Sequence, residues 1–240
     1  MFHKDQIQIA NEKGKLPYFL KDNKDLLSIK IKQIEDDLPY FESNRQRLIN
    51  YAKYETLKKD SNYYDVDFDT QTGGVKAIHK GHILHENDKE QRFFKELTKD
   101  GKGLTSTQLE ISCQDNLFRM GHSAILRDES QKRENGDYMS SLDLELNSEV
   151  MDIRSIISPN HYGRSLCDKN KQLGRVERAS GYVGNSVCLY FHNKNIYNIE
   201  KLKQDAEWYK KYIVECGSVQ RIKHIYIVIN GNKELIKIDI

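Results

Sequence analysis

The chain has 240 residues, of which 38% are hydrophobic and 31% are charged. This composition is typical of a globular protein and excludes a disordered or membrane-embedded one. The formal net charge of +2 neither requires nor excludes nucleic acid, so any basic surface has to be local. The sequence has no apolar run of roughly 20 residues and no apolar signal-peptide stretch at its start. We therefore expect no membrane partner, and either a cytoplasmic protein or one delivered into a target cell without a classical signal peptide.

The first part of the chain follows a helical pattern. Apolar residues recur among charged ones between residues 26 and 51, and Pro17 and Pro39 divide the segment. A proline ends or kinks a helix, so this pattern predicts three short helices. We expect a helical N-terminal region over residues 1–60, followed by an α/β domain over residues 61–240.

Strand signals begin near residue 64. Residues 64–68 alternate between polar and apolar side chains, and residues 75–78 form a second apolar segment after the Gly73–Gly74 turn. This pattern predicts a hairpin. A polar loop that carries histidines follows, and residues 89–97 show a helical pattern.

From Thr105 onward the pattern predicts the order α-β-β-β-α-β-α-β-β. Thr105 or Ser106 is a suitable helix N-cap and Gly121 a suitable helix end,. Helices that alternate with strands predict an α/β fold with a mixed central sheet and flanking helices. The predicted helices cover residues 105–120, 165–180 and 199–213, and the predicted strands cover residues 123–128, 142–146, 149–156, 187–191, 222–229 and 235–240.

The hairpin around Asn147–Ser148 carries two aspartates. If these two residues form the turn, Asp143 lies directly opposite Asp152,. Two carboxylates in that position repel each other, and a bound divalent cation removes the repulsion. The alternative is a solvated polar face. The same register places Leu142, Ile153, Leu144 and Met151 on one apolar face, and Ser141, Asp143, Glu145, Val150, Asp152 and Arg154 on the other.

This layout resembles that of PD-(D/E)xK nucleases. Glu110 lies on a helix that precedes a glycine turn and a strand, Asp143 lies on the next strand, and Asp152-Ile-Arg154 stands where the family has an acid-x-Lys motif. The layout is most similar to the tRNase-type toxin domains at the C-termini of contact-dependent growth inhibition proteins. The stretch from residue 73 to residue 79 also resembles nuclease-like domains carried by phages and mobile elements. The resemblance covers about residues 73–192.

The resemblance implies a restriction-endonuclease-like core and a metal-dependent nuclease. Glu110, Asp143 and Asp152 would hold a divalent cation, with Mg²⁺ first and Mn²⁺ or Zn²⁺ as alternatives. Arg154 and Lys171 would neutralise the charge that develops on the phosphate. The implied substrate is RNA, with tRNA as the candidate, rather than DNA, and a toxin would have an immunity protein as partner. The sequence departs from the motif at Arg154, because an arginine does not deprotonate and cannot act as a base.

Further cationic residues are candidates for binding nucleic acid. We expect His79, His82, Arg164 and Arg175 to reach the proposed cleft and to contact phosphate there,. A basic stripe also runs along the predicted helix from Lys169 to Arg178,. The spacing of His79, His82 and His85 leaves a zinc site open. An ordinary solvated loop is the alternative for these histidines.

Two other functions remain open at this point. The first is a metal-independent ribonuclease of the barnase and colicin type, in which His79, His82 and Lys76 would take part in acid–base catalysis. The second is a non-enzymatic binding protein of a phage or mobile element with a degenerate nuclease fold, in which Asp143 and Asp152 would point into solvent. The sequence contains no P-loop, GxGxxG motif or serine nucleophile elbow,.

Overall fold

A computed structural model of the chain describes residues 44–83, 92–132, 134–136, 138–159 and 162–240. The chain divides into two compact units, residues 1–49 and 50–240. Helix α1 occupies residues 44–57. The helices predicted before it, including those separated by Pro17 and Pro39, lie outside the described residues.

Eight strands and three further α-helices follow α1 in the described part of the chain. From α2 onward they occur in the predicted order α-β-β-β-α-β-α-β-β, so the predicted α/β fold with a mixed sheet and flanking helices is confirmed. The elements are β1 (Tyr63–Phe68), β2 (Val75–His79), α2 (Ser106–Arg119), β3 (Ser123–Leu126), β4 (Leu144–Leu146), β5 (Glu149–Ser155), α3 (Tyr162–Ser180), β6 (Ser186–Phe191), α4 (Ile199–Glu215), β7 (His224–Ile229) and β8 (Ile236–Asp239).

The strands form one mixed sheet in which neighbours in space are also neighbours in sequence, from β1 to β8. The pairs β2–β3, β5–β6 and β6–β7 are parallel, and the other pairs are antiparallel. Strands β2, β3, β5, β6 and β7 therefore run in the same direction. Their carboxyl ends lie at one edge of the sheet, which is where polar ligands are usually bound in α/β proteins.

Strand β6 shows how the sheet is buried on both faces. All six of its residues are buried. Because side chains alternate along a strand, Val187, Leu189 and Phe191 pack with α3 and α4 on one face, whereas Cys188 and Tyr190 pack with α2 on the other. The continuous apolar run thus has a core on each side. No helix among the described residues is long and apolar enough to cross a membrane.

The hairpin between β4 and β5 has the predicted register over three residue pairs. Leu144 pairs with Met151 and Leu146 pairs with Glu149, and the turn residues Asn147 and Ser148 both have positive φ, at 49° and 74°. Positive φ at both central residues matches the twist of a two-residue hairpin. The regular pairing ends at Leu144 and Met151, so it does not include Asp143 and Asp152.

The predicted apolar face is wrong beyond Leu144. Leu142 packs in the core beneath α3, whereas Ile153 packs in the core beneath α2. The two side chains lie on opposite faces because the chain leaves the regular strand at Asp143.

The predicted helix over residues 89–97 is also wrong where it can be seen. Residues 84–91 lie outside the described part of the chain. Beyond them, Phe93 forms an isolated bridge with Leu104, Phe94 has a φ of 51°, and only a 3₁₀ turn follows at Lys95–Leu97. The left-handed backbone at Phe94 prevents a continuous helix through this segment.

Candidate active site

The directions of the strands bring five polar side chains to one edge of the sheet. His82 follows β2, Glu129 follows β3, Asp143 precedes the antiparallel β4, and Asp152 is the central residue of β5. Glu110 reaches them from the first half of α2, which covers this part of the sheet. The carboxyl ends of parallel strands meet at the same edge, so residues far apart in sequence become neighbours.

Asp143 links the start of β4 to β5 through its side chain. Its Oδ2 accepts a hydrogen bond of 3.0 Å from the backbone N–H of Ile153, and its carbonyl oxygen accepts one of 2.8 Å from Arg127. Asp152 instead pairs through its backbone with Val187 of β6. The two aspartates are 6% and 1% exposed, so they do not form the solvated pair expected of a non-enzymatic binding protein.

The four acidic side chains of this group line a cavity of about 340 Å³. Acidic groups lie on several sides of it, and one lysine and one arginine are the basic groups in its wall. The lining residues are Phe93, Ser106, Leu109, Glu110, Glu129, Asp143, Asp152, Ile153, Arg154, Ser155, Ile157, Ser165, Lys169 and Gln172.

Three of the carboxylates repel one another. Burial, together with the charge and contact of Asp143, raises the pKa of the Glu129 carboxyl to about 9. Burial likewise raises the pKa of Glu110, which the contact with His82 only partly offsets. Such shifts arise where like charges are confined away from water, and a bound cation would reverse them.

His82 lies behind the carboxylates. Its Nε2 atom is 3.1 Å from Oε2 of Glu110, and its Nδ1 atom is 3.6 Å from Oε2 of Glu129. Burial lowers the pKa of the imidazole, but the contact and charge of Glu110 and the charge of Asp143 outweigh this effect and raise it. One ligand atom each from His82, Glu110 and Glu129 lie within 4.8 Å of one another, which is close enough for a single metal ion.

Comparison with protein-family models, with curated proteins and with solved structures finds no match to this chain. The assignment of a function therefore depends on the chemistry of the cavity and of its surroundings.

A buried ion pair forms the wall opposite α2. Nζ of Lys169 contacts Oδ2 of Asp152, and Nε2 of Gln172 donates a hydrogen bond of 2.9 Å to Oδ1 of the same carboxylate. Burial lowers the pKa of the Lys169 ammonium, although the charges of Asp143, Glu110 and Glu129 oppose this effect. Asp152 thus has a cationic partner from the chain itself, and Glu110, Glu129 and Asp143 lie close enough to the same lysine for their charges to affect its pKa.

Helix α3 places Lys169 in the cavity and Lys171 outside it. Ser165, Lys169 and Gln172 recur at helical spacing and line the cavity,. Lys171 lies about 200° around the helix from Lys169, because each residue advances by about 100°, and it is exposed. The lysine of α3 that lines the cavity is therefore Lys169, and not Lys171 as expected from the sequence.

The other predicted residues have different positions. Arg154 is exposed and lines the mouth of the cavity. His79 lies apart, with its Nδ1 3.6 Å from Asp128 and its ring against Tyr63. Arg164 and Arg175 are exposed on α3 and do not line the cavity. His85 lies outside the described residues, so the three-histidine zinc site is not described.

Sequence reasoning missed Glu129, although a signal for it exists. It follows the apolar strand β3 by three residues, as His82 follows β2 by three. Polar residues directly after two parallel strands are expected to meet. The segment after β2 approaches the segment after β3 closely at Gly81, where a Cβ atom would lie 1.9 Å from Oδ1 of Asp128.

Proposed function

We propose that this protein is a metal-dependent phosphodiesterase that cleaves nucleic acid. One observation carries the proposal. Glu110 of α2 converges on one cavity with Glu129 and Asp143 of the segment between β3 and β4, and the Lys169–Asp152 pair also lines that cavity. Clustered carboxylates beside a lysine are suited to holding a divalent cation next to a phosphate group.

The side chains present fit a divalent cation. Carboxylate oxygens are the preferred ligands of hard cations, and the raised pKa values of Glu110 and Glu129 indicate uncompensated negative charge in the cavity. We propose that Glu110, Glu129 and Asp143 hold the ion, which when bound polarises the phosphate and lowers the pKa of a coordinated water. Compared with the set expected from sequence, Glu129 replaces Asp152 as a ligand, because Lys169 already neutralises Asp152.

The remaining residues bind and orient the substrate. Lys169 is held by Asp152 and by Oε1 of Gln172, which accepts a hydrogen bond of 3.1 Å from its Nζ. A cation fixed in this way stabilises negative charge as it develops on the phosphate, without a cost of reorganisation during the reaction. Arg154, at the mouth of the cavity, is placed to contact the neighbouring phosphate. It is not required as a base, so an arginine serves at this position.

The exposed face of α3 supports a polymeric substrate. Arg164, Lys171, Arg175 and Arg178 are all exposed and fall within about 60° around the helix axis, over a length of about 21 Å. None of them forms an ion pair with another described residue. Arg175 is near enough to the cavity for its charge to contribute, after burial, to lowering the pKa of Lys169. A basic stripe that borders a phosphodiesterase cavity is suited to the backbone of a nucleic acid.

RNA, and tRNA in particular, is the substrate that we propose to test first, because the resemblance to tRNase-type toxin domains favours it. An immunity protein as partner has the same basis. Neither proposal is needed for the metal-dependent chemistry, which depends on the cavity.

The test is incubation of the purified full chain with tRNA and with plasmid DNA in Mg²⁺, Mn²⁺, Zn²⁺ or EDTA. We expect cleavage with a divalent cation, none in EDTA, and a loss of at least about 100-fold in Glu110→Gln, because a ligand to the ion is removed. Asp115→Asn is the matched control, since it neutralises another acid on α2 that does not line the cavity. Circular dichroism and thermal unfolding establish that both variants fold.

Each other outcome contradicts a stated part of the proposal. Cleavage in EDTA would select the metal-independent ribonuclease, and equal activity of Glu110→Gln and wild type would remove Glu110 from the site. No cleavage of either polymer with any ion would favour a binding protein. Combined Lys171→Gln, Arg175→Gln and Arg178→Gln substitutions should weaken RNA binding and reduce its salt dependence, while hydrolysis of a small phosphodiester stays unchanged.

A further inference from the structure

The ring of His82 has a defined orientation. Its Nδ1 lies 3.2 Å from the carbonyl oxygen of Arg127, and a carbonyl oxygen can only accept, so Nδ1 carries a hydrogen and donates it. The side chain is completely buried. The atom directed at the carboxylates is therefore Nε2.

Nε2 has one charged neighbour but no well-aligned hydrogen bond among the described residues. It lies 3.1 Å from Oε2 of Glu110, but it makes no well-aligned hydrogen bond within the described part of the chain. A buried nitrogen without a well-aligned hydrogen bond is costly, and a water molecule or an ion commonly completes the contacts of such an atom. Here that atom faces the Glu110 carboxylate, and one ligand atom each from His82, Glu110 and Glu129 lie within 4.8 Å of one another.

The hydrogen bond to Arg127 is the kind that supports a metal ligand. A histidine that binds a metal through one ring nitrogen almost always donates the other N–H to a carboxylate or to a backbone carbonyl, which fixes its tautomer. The carbonyl of Arg127 belongs to the segment that also supplies Glu129, two residues later, and the N–H of Arg127 binds Asp143. One short segment thus positions the imidazole and two of the carboxylates.

We infer that His82 ligates the ion through Nε2, so that the site selects a first-row transition-metal ion such as Mn²⁺ or Zn²⁺ over Mg²⁺ or Ca²⁺. This inference rests on the proposed metal site but not on the identity of the substrate. Imidazole suits transition metals, whereas Mg²⁺ and Ca²⁺ prefer sites made of oxygen ligands only. His82 is therefore a metal ligand, in place of the phosphate contact expected from sequence, which its burial prevents.

The direct test is pulsed electron paramagnetic resonance of Mn²⁺ bound to the full chain. Nitrogen ligation gives a ¹⁴N modulation that changes to that of ¹⁵N when the protein carries ¹⁵N-labelled histidine. We expect this signal in wild type and in His79→Gln, whose histidine lies three residues away beside Asp128. We expect its loss in His82→Gln. Because the measurement on labelled wild type alone decides the ligation, it does not depend on whether His82→Gln folds.

Calorimetric titration of the same proteins gives the selectivity. Mn²⁺ and Zn²⁺ should bind wild type at least about tenfold more tightly than Mg²⁺, in line with the usual order of divalent metals at nitrogen-containing sites. His82→Gln should lose most of this difference, and His79→Gln should retain it. Bound Mn²⁺ without a histidine nitrogen signal would overturn the inference, and so would tighter binding of Mg²⁺ than of Mn²⁺.

The inference and the proposed function can fail separately. A histidine nitrogen signal without cleavage of RNA or DNA would support a transition-metal site and contradict the nuclease. Cleavage supported equally by Mg²⁺ and Mn²⁺, with no nitrogen signal, would support the nuclease and contradict the role of His82.

Discussion

Replacing Glu129 by glutamine should stabilise the protein when no metal is bound. Burial, followed by the charge and contact of Asp143, raises the pKa of Glu129 from 4.5 to about 9. The folded chain therefore holds a proton on this carboxyl between about pH 4.5 and pH 9, where the unfolded chain has released it. Since the folded state binds more protons in that window, its stability falls as the pH rises through it.

The size of the effect follows from the shift. Each pKa unit corresponds to about 1.4 kcal/mol, and pH 7 lies 2.5 units above the pKa of the unfolded chain, so Glu129 lowers the free energy of unfolding at pH 7 by about 3 kcal/mol relative to pH 4.5. Glu129→Gln keeps the shape of the side chain and removes its ionisation. The variant should thus gain about 3 kcal/mol over wild type at pH 7 and close to nothing at pH 4.5.

Urea unfolding in EDTA at pH 5 and pH 8 measures this difference. The raised pKa values of Glu110 and His82 lower stability with rising pH in both proteins, so the two proteins are compared with each other at each pH. Glu200→Gln, at a glutamate that is 74% exposed on α4, is the control and should change stability by less than about 0.5 kcal/mol. A Glu129→Gln variant that is less stable than wild type at pH 8, or that gains equally at both pH values, would refute the argument.

Addition of the proposed metal ion should narrow the difference in stability between the two proteins. An ion at 100 times its dissociation constant stabilises the folded state by about 2.7 kcal/mol. Glu129→Gln lacks one ligand and should gain less than wild type from the same concentration. Equal gains for both proteins would show that Glu129 does not bind the ion.

Three further changes have defined outcomes. Gly81→Ala adds a Cβ atom 1.9 Å from Oδ1 of the Asp128 side chain, which can move away, so in chemical denaturation it should cost no more than about 1 kcal/mol, the lower end of the range for overpacking; a larger cost would show that Asp128 is held in place. Lys169→Met leaves Asp152 buried without its cation and should lower the free energy of unfolding by about 3–5 kcal/mol, whereas the exposed Lys171→Met should change it by less than about 0.5 kcal/mol. Leu189→Ala, at a completely buried position of β6, should cost about 2–5 kcal/mol in chemical denaturation, and a smaller cost would show that the core collapses around the cavity.

Local signals in the sequence were sufficient to predict most of the fold. Thr105 caps α2 in a full capping box with Gln108, and Asn147–Ser148 forms the two-residue turn that sets the register of β4 and β5. These features depend on residues that are close in sequence, through side-chain capping and hairpin geometry. The order of elements from α2 to β8 could be predicted for the same reason.

The segment around Phe94 could not be predicted in this way. Its helical pattern is overridden by the bridge between Phe93 and Leu104, which is a contact between residues in separate parts of the chain. A local pattern carries no information about such a partner.

The sequence by itself pointed to Asp143 and Asp152 through the predicted hairpin register, and to Glu110 through its resemblance to PD-(D/E)xK nucleases. Only the tertiary structure decided that Lys169 neutralises Asp152 and that Glu129 and His82 join the cluster. Those contacts depend on the rotation of α3 and on the parallel pairing of β2 with β3 across more than forty residues. Neither is set by neighbouring residues, since both arise only when the helices pack on the completed sheet.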